Sequence, residues 1–166
     1  MLKMILSGLI VLFPIFKKDK TSEDSFCSIN PIYCQIVKNN PEINKKYAMS
    51  ISNKIYSIAK KHKINPRRYA AILAQESMYI LSAKNCKGGI CVDFGISQIN
   101  KNTAKAYGFD TERLTYDLDY SLNAGAIVLS DIGKKYSGKE SDWWTRYNSS
   151  NTKKRKQYAT LVSRYL

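Results

Sequence analysis

The chain has 166 residues, 44% apolar and 24% charged, which suits one globular domain and excludes a disordered or collagen-like chain. Lys and Arg number 27 against 13 Asp and Glu, a formal charge of +14 that favours a polyanionic partner such as nucleic acid, an anionic membrane or the bacterial cell wall. No apolar run reaches the ~18–20 residues of a spanning helix, so a multi-pass membrane protein is excluded.

Lys3 precedes an apolar run from Met4 to Phe16, interrupted only by Ser7, Gly8 and Pro14. Its length fits the apolar region of a signal peptide. No Ala-x-Ala cleavage site follows, and Lys17, Lys18 and Lys20 come at once. Residues 1–20 are therefore expected to be a signal peptide or an N-terminal membrane anchor. A buried N-terminal helix is the bland alternative.

Residues 21–40 read as a polar linker carrying Cys27 and Cys34. Cys86 and Cys91 form a second close pair. Neither pair has metal-binding spacing, and the single His62 cannot complete a zinc site. No metal and no cofactor is expected. With an export-like start, disulfides are the better reading. Four cysteines allow three pairings, and the local one is expected.

Residues 41–166 read as one helical domain. Asn40-Pro41-Glu42 has the form of a helix start. Ile43, Tyr47, Ile51, Ile55 and Ile58 then make one apolar stripe that should end near His62. Asn65-Pro66 repeats the start signal, and Tyr69, Ile72, Leu73 and Ile80 make the next stripe. Glu76 lies on that stripe, four residues after Ile72 and three after Leu73. Acids are rarely turned toward a core without a reason.

Residues 84–95, with Gly88, Gly89 and Gly95, read as a loop or tiny hairpin closed by Cys86 and Cys91. Asn102 to Tyr107 reads as a short helix ended by Gly108. Asp117 is placed to cap a long helix in which Gly125 permits close packing. Ser141-Asp142 opens a short aromatic helix with Trp143, Trp144 and Tyr147. Thr152 starts a last one with Tyr158, Leu161, Val162 and Tyr165. The fold class is mainly α, with at most a small hairpin. From Lys134 to Leu166, nine basic residues face Glu140 and Asp142, a local +7. Such a run is usually a solvated face; here it is also a candidate binding patch.

A carboxylic acid packed among apolar side chains loses hydration of its charged form and stays protonated to higher pH. Such a group is a general acid of the kind glycoside cleavage requires. Glu76 is the candidate; an acid at the edge of the stripe, reaching solvent or Arg68, is the plain alternative.

The run Ala74-Gln75-Glu76-Ser77-Met78-Tyr79 resembles the Glu-Ser motif of soluble lytic transglycosylases. Asp93-Phe94-Gly95-Ile96-Ser97-Gln98-Ile99-Asn100 is similar to that family's Gly-Leu-Met-Gln-Ile block. Leu122-Asn123-Ala124-Gly125-Ala126 is similar to its helix with Asn and Gly, Tyr147-Asn148 to its Tyr-Asn block, and Tyr158 to a late tyrosine. The blocks come in the family's order over roughly residues 60–166. The small size and export-like start look closest to the specialised members of secretion, conjugation and phage-entry systems.

The resemblance implies a lysozyme-like fold in an exported, periplasmic, cell-envelope or virion protein. It also implies cleavage of the β-1,4 bond between N-acetylmuramic acid and N-acetylglucosamine in peptidoglycan strands. Glu76 would act first as general acid, then as general base toward the muramoyl 6-hydroxyl, leaving a 1,6-anhydro end. The substrate's acetamido group would meet the developing positive charge. Gln98 and Ile99 would line the glycan cleft, Tyr147 would position Glu76, and Asn148 would hold the acetamido group. Ser77 would support the Glu76 helix at the substrate site. Gly95 would let backbone approach the sugar.

Four departures stand out. Met78-Tyr79 follow Glu76-Ser77 where Phe is frequent, and Tyr79 is expected to fill the same space. Ser97 replaces a frequent Met and is expected to alter a sugar subsite. Ser149-Ser150 replace a common Ala-Gly. Asp93, just before the cleft block, is a candidate second carboxylate that could hold a water opposite Glu76, as in an inverting hydrolase. The competing readings are a muramidase of goose-lysozyme type and a non-catalytic wall-binding module. A nucleic-acid binder is disfavoured for want of any recognisable motif.

Overall fold

Short polar side chains open the helices of this chain, and their positions set its architecture. The computed structural model describes residues 20–166. The apolar run from Met4 to Phe16, with its expected role as signal or anchor, lies outside them. No described helix is long and apolar enough to cross a membrane.

The element order is α1 (Lys20–Ile29), α2 (Pro31–Asn39), α3 (Lys45–Lys61), α4 (Pro66–Ser77), β1 (Lys84–Lys87), β2 (Ile90–Phe94), β3 (Ile99–Asn100), α5 (Lys101–Tyr107), α6 (Leu118–Tyr136) and α7 (Thr152–Ser163). Short 3-10 turns span Arg113–Thr115 and Trp143–Tyr147. The fold is mainly α with one small antiparallel sheet, in the order β1-β2-β3.

Asn44, Asn65, Asn100 and Asn151 each accept a backbone N–H at the first turn of α3, α4, α5 and α7, and Asp117 does so for α6. Such caps satisfy donors that have no partner within the helix. The start expected at Asn40-Pro41-Glu42 is a turn instead. Asn44 supplies the cap, while the Asn40 amide donates to the carbonyl of Met78 at 3.1 Å.

The expected linker is also helical. Pro31 opens α2, and Ile32 and Ile36, one turn apart, are buried against α3 and α4. Gln35 ties α2 to the carbonyls of Arg67 and Tyr165 at 2.9 and 2.8 Å. Cys27 and Cys34 bridge α1 to α2, and Cys86 and Cys91 close the hairpin, the local pairing expected.

α4 runs through the centre, with Tyr69 to Ala74 all buried. It packs on α2, α3 and α7. It stops at Ser77, before Ile80, which lies exposed. α6 crosses nearby. A Cβ on its Gly125 would lie 2.4 Å from Ser97 Oγ and 2.7 Å from the Tyr69 hydroxyl, so only glycine allows this approach.

Candidate active site

Glu76 occupies the last turn of α4, where the chain turns sharply. Met78 and Tyr79 both have positive φ, 51° and 67°. Each costs on the order of 1 kcal/mol for a non-glycine residue. Burial of Tyr79 and the bond from Met78 N to Ala74 O, 2.9 Å, hold the turn. The helix therefore ends just past the carboxyl group, and the chain leaves toward the sheet.

Glu76 faces a cleft of about 310 Å³, lined also by Asp93, Gln98, Ile99, Asn100, Thr103, Val128, Tyr147 and Asn148. Burial raises the Glu76 carboxyl to about 7 from an ordinary 4.5. A hydrogen bond from the Tyr158 hydroxyl to Oε1, 2.5 Å long, opposes the rise, and the negative charge of Asp93 adds to it. The carboxyl thus keeps its proton to higher pH than an ordinary glutamic acid.

Gln98 also sits at positive φ, 44°. Its amide nitrogen donates to the carbonyls of Gly95 at 2.8 Å and Ala83 at 3.1 Å. Both amide hydrogens are used, so the amide oxygen is left to meet a hydroxyl or N–H in the cleft.

Tyr147 and Tyr158 stand behind Glu76. Burial holds both phenols far above their ordinary value, so both are neutral donors. Tyr147 donates to the carbonyl of Ser97 at 2.8 Å, which makes Tyr158, not the expected Tyr147, the direct partner of Glu76. One buried arginine ties together the two elements that carry these tyrosines. Arg155 on α7 reaches Thr145 Oγ1 at 2.9 Å, Asp142 at 2.8 Å and Glu140 at 2.6 Å. Glu140 also pairs with Arg146 at 2.6 Å, and both arginines pull its carboxyl below its usual range. Arg146 and Arg155, counted in the basic run, are therefore structural partners of its two acids.

Ser77 and Ser97 lie behind the cleft wall. Ser77 Oγ donates to the Ile96 carbonyl at 2.8 Å, tying α4 to the loop before β3. Ser97 is fully buried and donates to the Ser121 carbonyl at 2.9 Å, so it packs on α6 rather than shaping a subsite. Gly95, at φ +76°, has its close approach to the Leu114 carbonyl, 2.1 Å from an added Cβ, and not to the cleft. The Ser149 hydroxyl accepts from Asn151 N at 3.1 Å, just before α7. Ile99 and Asn148 also line the cleft.

The transglycosylase SLT domain model matches residues 53–161, most of the chain and every residue of the cleft. The chain belongs to the SLT-domain family. No curated protein and no solved structure gives a match. The SLT match begins within α3 and leaves α1 and α2 outside, although α2 contributes Ile32 and Ile36 to the shared core. The SLT domain supports lytic transglycosylase family activity on the peptidoglycan of the cell wall.

Asn100, Thr103 and Val128 complete the SLT cleft and were not singled out from sequence. Only the Asn ending the Gln98-Ile99-Asn100 run carried a signal. Thr103 and Val128 stand on α5 and α6, whose approach to the cleft no local pattern announces.

Proposed function

We propose that this SLT domain cleaves the β-1,4 bond between N-acetylmuramic acid and N-acetylglucosamine, with Glu76 as general acid and then general base. The supporting observation is the Glu76 carboxyl itself, raised to about 7 in a polar cleft and held by Tyr158. A carboxyl near the working pH is best matched to giving and retaking one proton.

Protonated Glu76 gives its proton to the bridging oxygen. The C1–O bond breaks, and its electron pair leaves with that oxygen as a hydroxyl. Positive charge spreads over C1, the ring oxygen and the acetamido group. The muramoyl 6-hydroxyl oxygen then bonds to C1, and its proton passes to Glu76. No water is consumed, and Glu76 ends protonated as it began. Gln98 would accept from a sugar hydroxyl, and Asn148 would hold the acetamido group.

The test is mass spectrometry of muropeptides released from purified sacculi. Anhydro-muropeptides are expected from the wild-type protein, and none above background from Glu76→Gln. Reducing muramic ends would mean a hydrolase instead. Unchanged digestion by Glu76→Gln would remove the assignment of this residue.

Residues 41–166 are the segment to which we assign this activity, with residues 1–20 serving export or membrane attachment. The envelope or periplasm is then the site of action.

A further inference from the structure

Strand register puts Asp93 directly between two asparagines. On β2 it pairs with Asn85 of β1 on one side and Asn100 of β3 on the other. Residues directly opposite in neighbouring antiparallel strands point to the same face. Accordingly Asn85 Nδ2 donates to Asp93 Oδ2 and Asn100 Nδ2 to Oδ1, both at 2.8 Å. Asn100 is fixed in turn, because its Oδ1 caps α5 through Asn102 N at 3.0 Å.

The clamp is neutral. Among the described residues no Lys or Arg pairs with Asp93, in a chain with 27 basic side chains. A link between strands needs no net charge at this position, since an amide there could be bonded as well. The charge is kept, uncancelled, in the wall of the cleft that holds Glu76. Charges and dipoles fixed before reaction, aimed at where opposite charge develops, are the usual source of large rate gains.

We propose that Asp93 is a second catalytic group of this site: a fixed anion, aimed by Asn85 and Asn100 at the sugar cation that forms when Glu76 gives up its proton. The proposal rests on the transglycosylase reading for the identity of that cation. Asp93 forms no bond and takes no proton; the 6-hydroxyl proton still goes to Glu76.

Glu76 on α4 and Tyr147 of the 3-10 turn share the cleft wall with Asp93, and Tyr158 on α7 is bonded to Glu76. The charge of Asp93 helps hold the Glu76 proton, so its removal shifts the alkaline limb of the rate profile to lower pH.

The experiment compares the full chain with Asp93→Asn and Asp93→Ala on a soluble glycan and on sacculi, each variant checked by circular dichroism and melting. We expect kcat to fall roughly 100-fold or more with KM nearly constant. The alkaline limb should move acidward in Asp93→Asn, and added formate should restore part of the Asp93→Ala rate. A kcat within about twofold of wild type, or an unmoved limb with no formate rescue in folded protein, overturns the proposal. Reducing ends from the wild type would sink the transglycosylase reading while leaving the rate effect of Asp93 to be judged on its own.

Discussion

The Tyr158 hydroxyl lies 2.5 Å from Glu76 Oε1, so the last helix of the chain holds the acid carried by α4. This bond favours the charged carboxylate and opposes the upward shift caused by burial. Tyr158→Phe removes it. The Glu76 proton is then held to higher pH, and the alkaline limb of kcat/KM moves upward, opposite to the shift expected for Asp93→Asn. One lost hydrogen bond also costs about 1 kcal/mol of stability. A pH–rate series on both variants checks the two signs together; shifts in the same direction would refute the electrostatic account.

Glu76 should also make the fold less stable at alkaline pH. Its folded value, about 7, lies above the ordinary 4.5. The stability tied to its proton is complete below 4.5 and is lost as pH rises through 7. Glu76→Gln escapes that loss. The variant should match wild type near pH 4 and exceed it at pH 8 by on the order of 2 kcal/mol, or roughly 5 °C in melting temperature. Paired thermal melts at the two pH values measure this. Equal melting of both proteins at pH 8 would mean that Glu76 is well hydrated.

Much of this site was legible in the sequence, and the exceptions share a cause. Glu76 could be found because helical periodicity assigns a face, and one acid on the apolar face stands out. The Asn65 cap and the local cysteine pairing follow from short-range rules of the same kind. Asn40 failed as a cap because a competing asparagine lay four residues on and a distant carbonyl, Met78, drew its amide away. Gly95 and Ser97 were assigned to the sugar, but they face Leu114, Ser121 and Gly125. Local sequence cannot tell which side of a loop meets the substrate. Nor could it tell Tyr147 from Tyr158 as the partner of Glu76, since that depends on contacts between elements distant in sequence, Tyr158 with Glu76 and Tyr147 with Ser97.

Gly125→Ala tests the close crossing of α6 over the cleft block. Alanine is the better helix former by ~1 kcal/mol. Its Cβ would nonetheless fall 2.4 Å from Ser97 Oγ and 2.7 Å from both Ser97 Cβ and the Tyr69 hydroxyl. All these atoms are buried. Net destabilisation of about 2 kcal/mol is expected, read as a lower urea midpoint at unchanged m-value. A stabilised variant would show that the crossing can relax.

The basic surface near the C-terminus should act on the wall and not on the chemistry. With Arg146 and Arg155 paired to acids, the exposed cations there are Lys134, Lys135, Lys139, Lys153, Lys154, Lys156 and Arg164. Lys153→Glu, Lys154→Glu and Lys156→Glu together should weaken sacculus binding several-fold and flatten its dependence on salt. Turnover of a short soluble glycan should stay at the wild-type rate. Sedimentation with sacculi across a salt series measures the first effect. Wild-type binding that is flat from low to high salt would remove the electrostatic role.

The two disulfides should differ in what they support. Cys27–Cys34 joins α1 to α2, which is part of the core, so Cys27→Ser with Cys34→Ser should lower the melting temperature, by about 2 kcal/mol on the chain-entropy account. Cys86–Cys91 closes a hairpin whose first strand, Lys84–Lys87, is exposed along its whole length. That hairpin can fray without opening the core. Its loss should therefore spare the melting temperature and instead release Asn85, the neighbour of Cys86, from Asp93. Cys86→Ser with Cys91→Ser is expected to lower kcat several-fold. In an Asp93→Asn background the same pair of substitutions should lower it no further, because the charge that Asn85 aims is already gone. Full additivity of the two losses in kcat would show that the hairpin serves the cleft by some route other than Asp93.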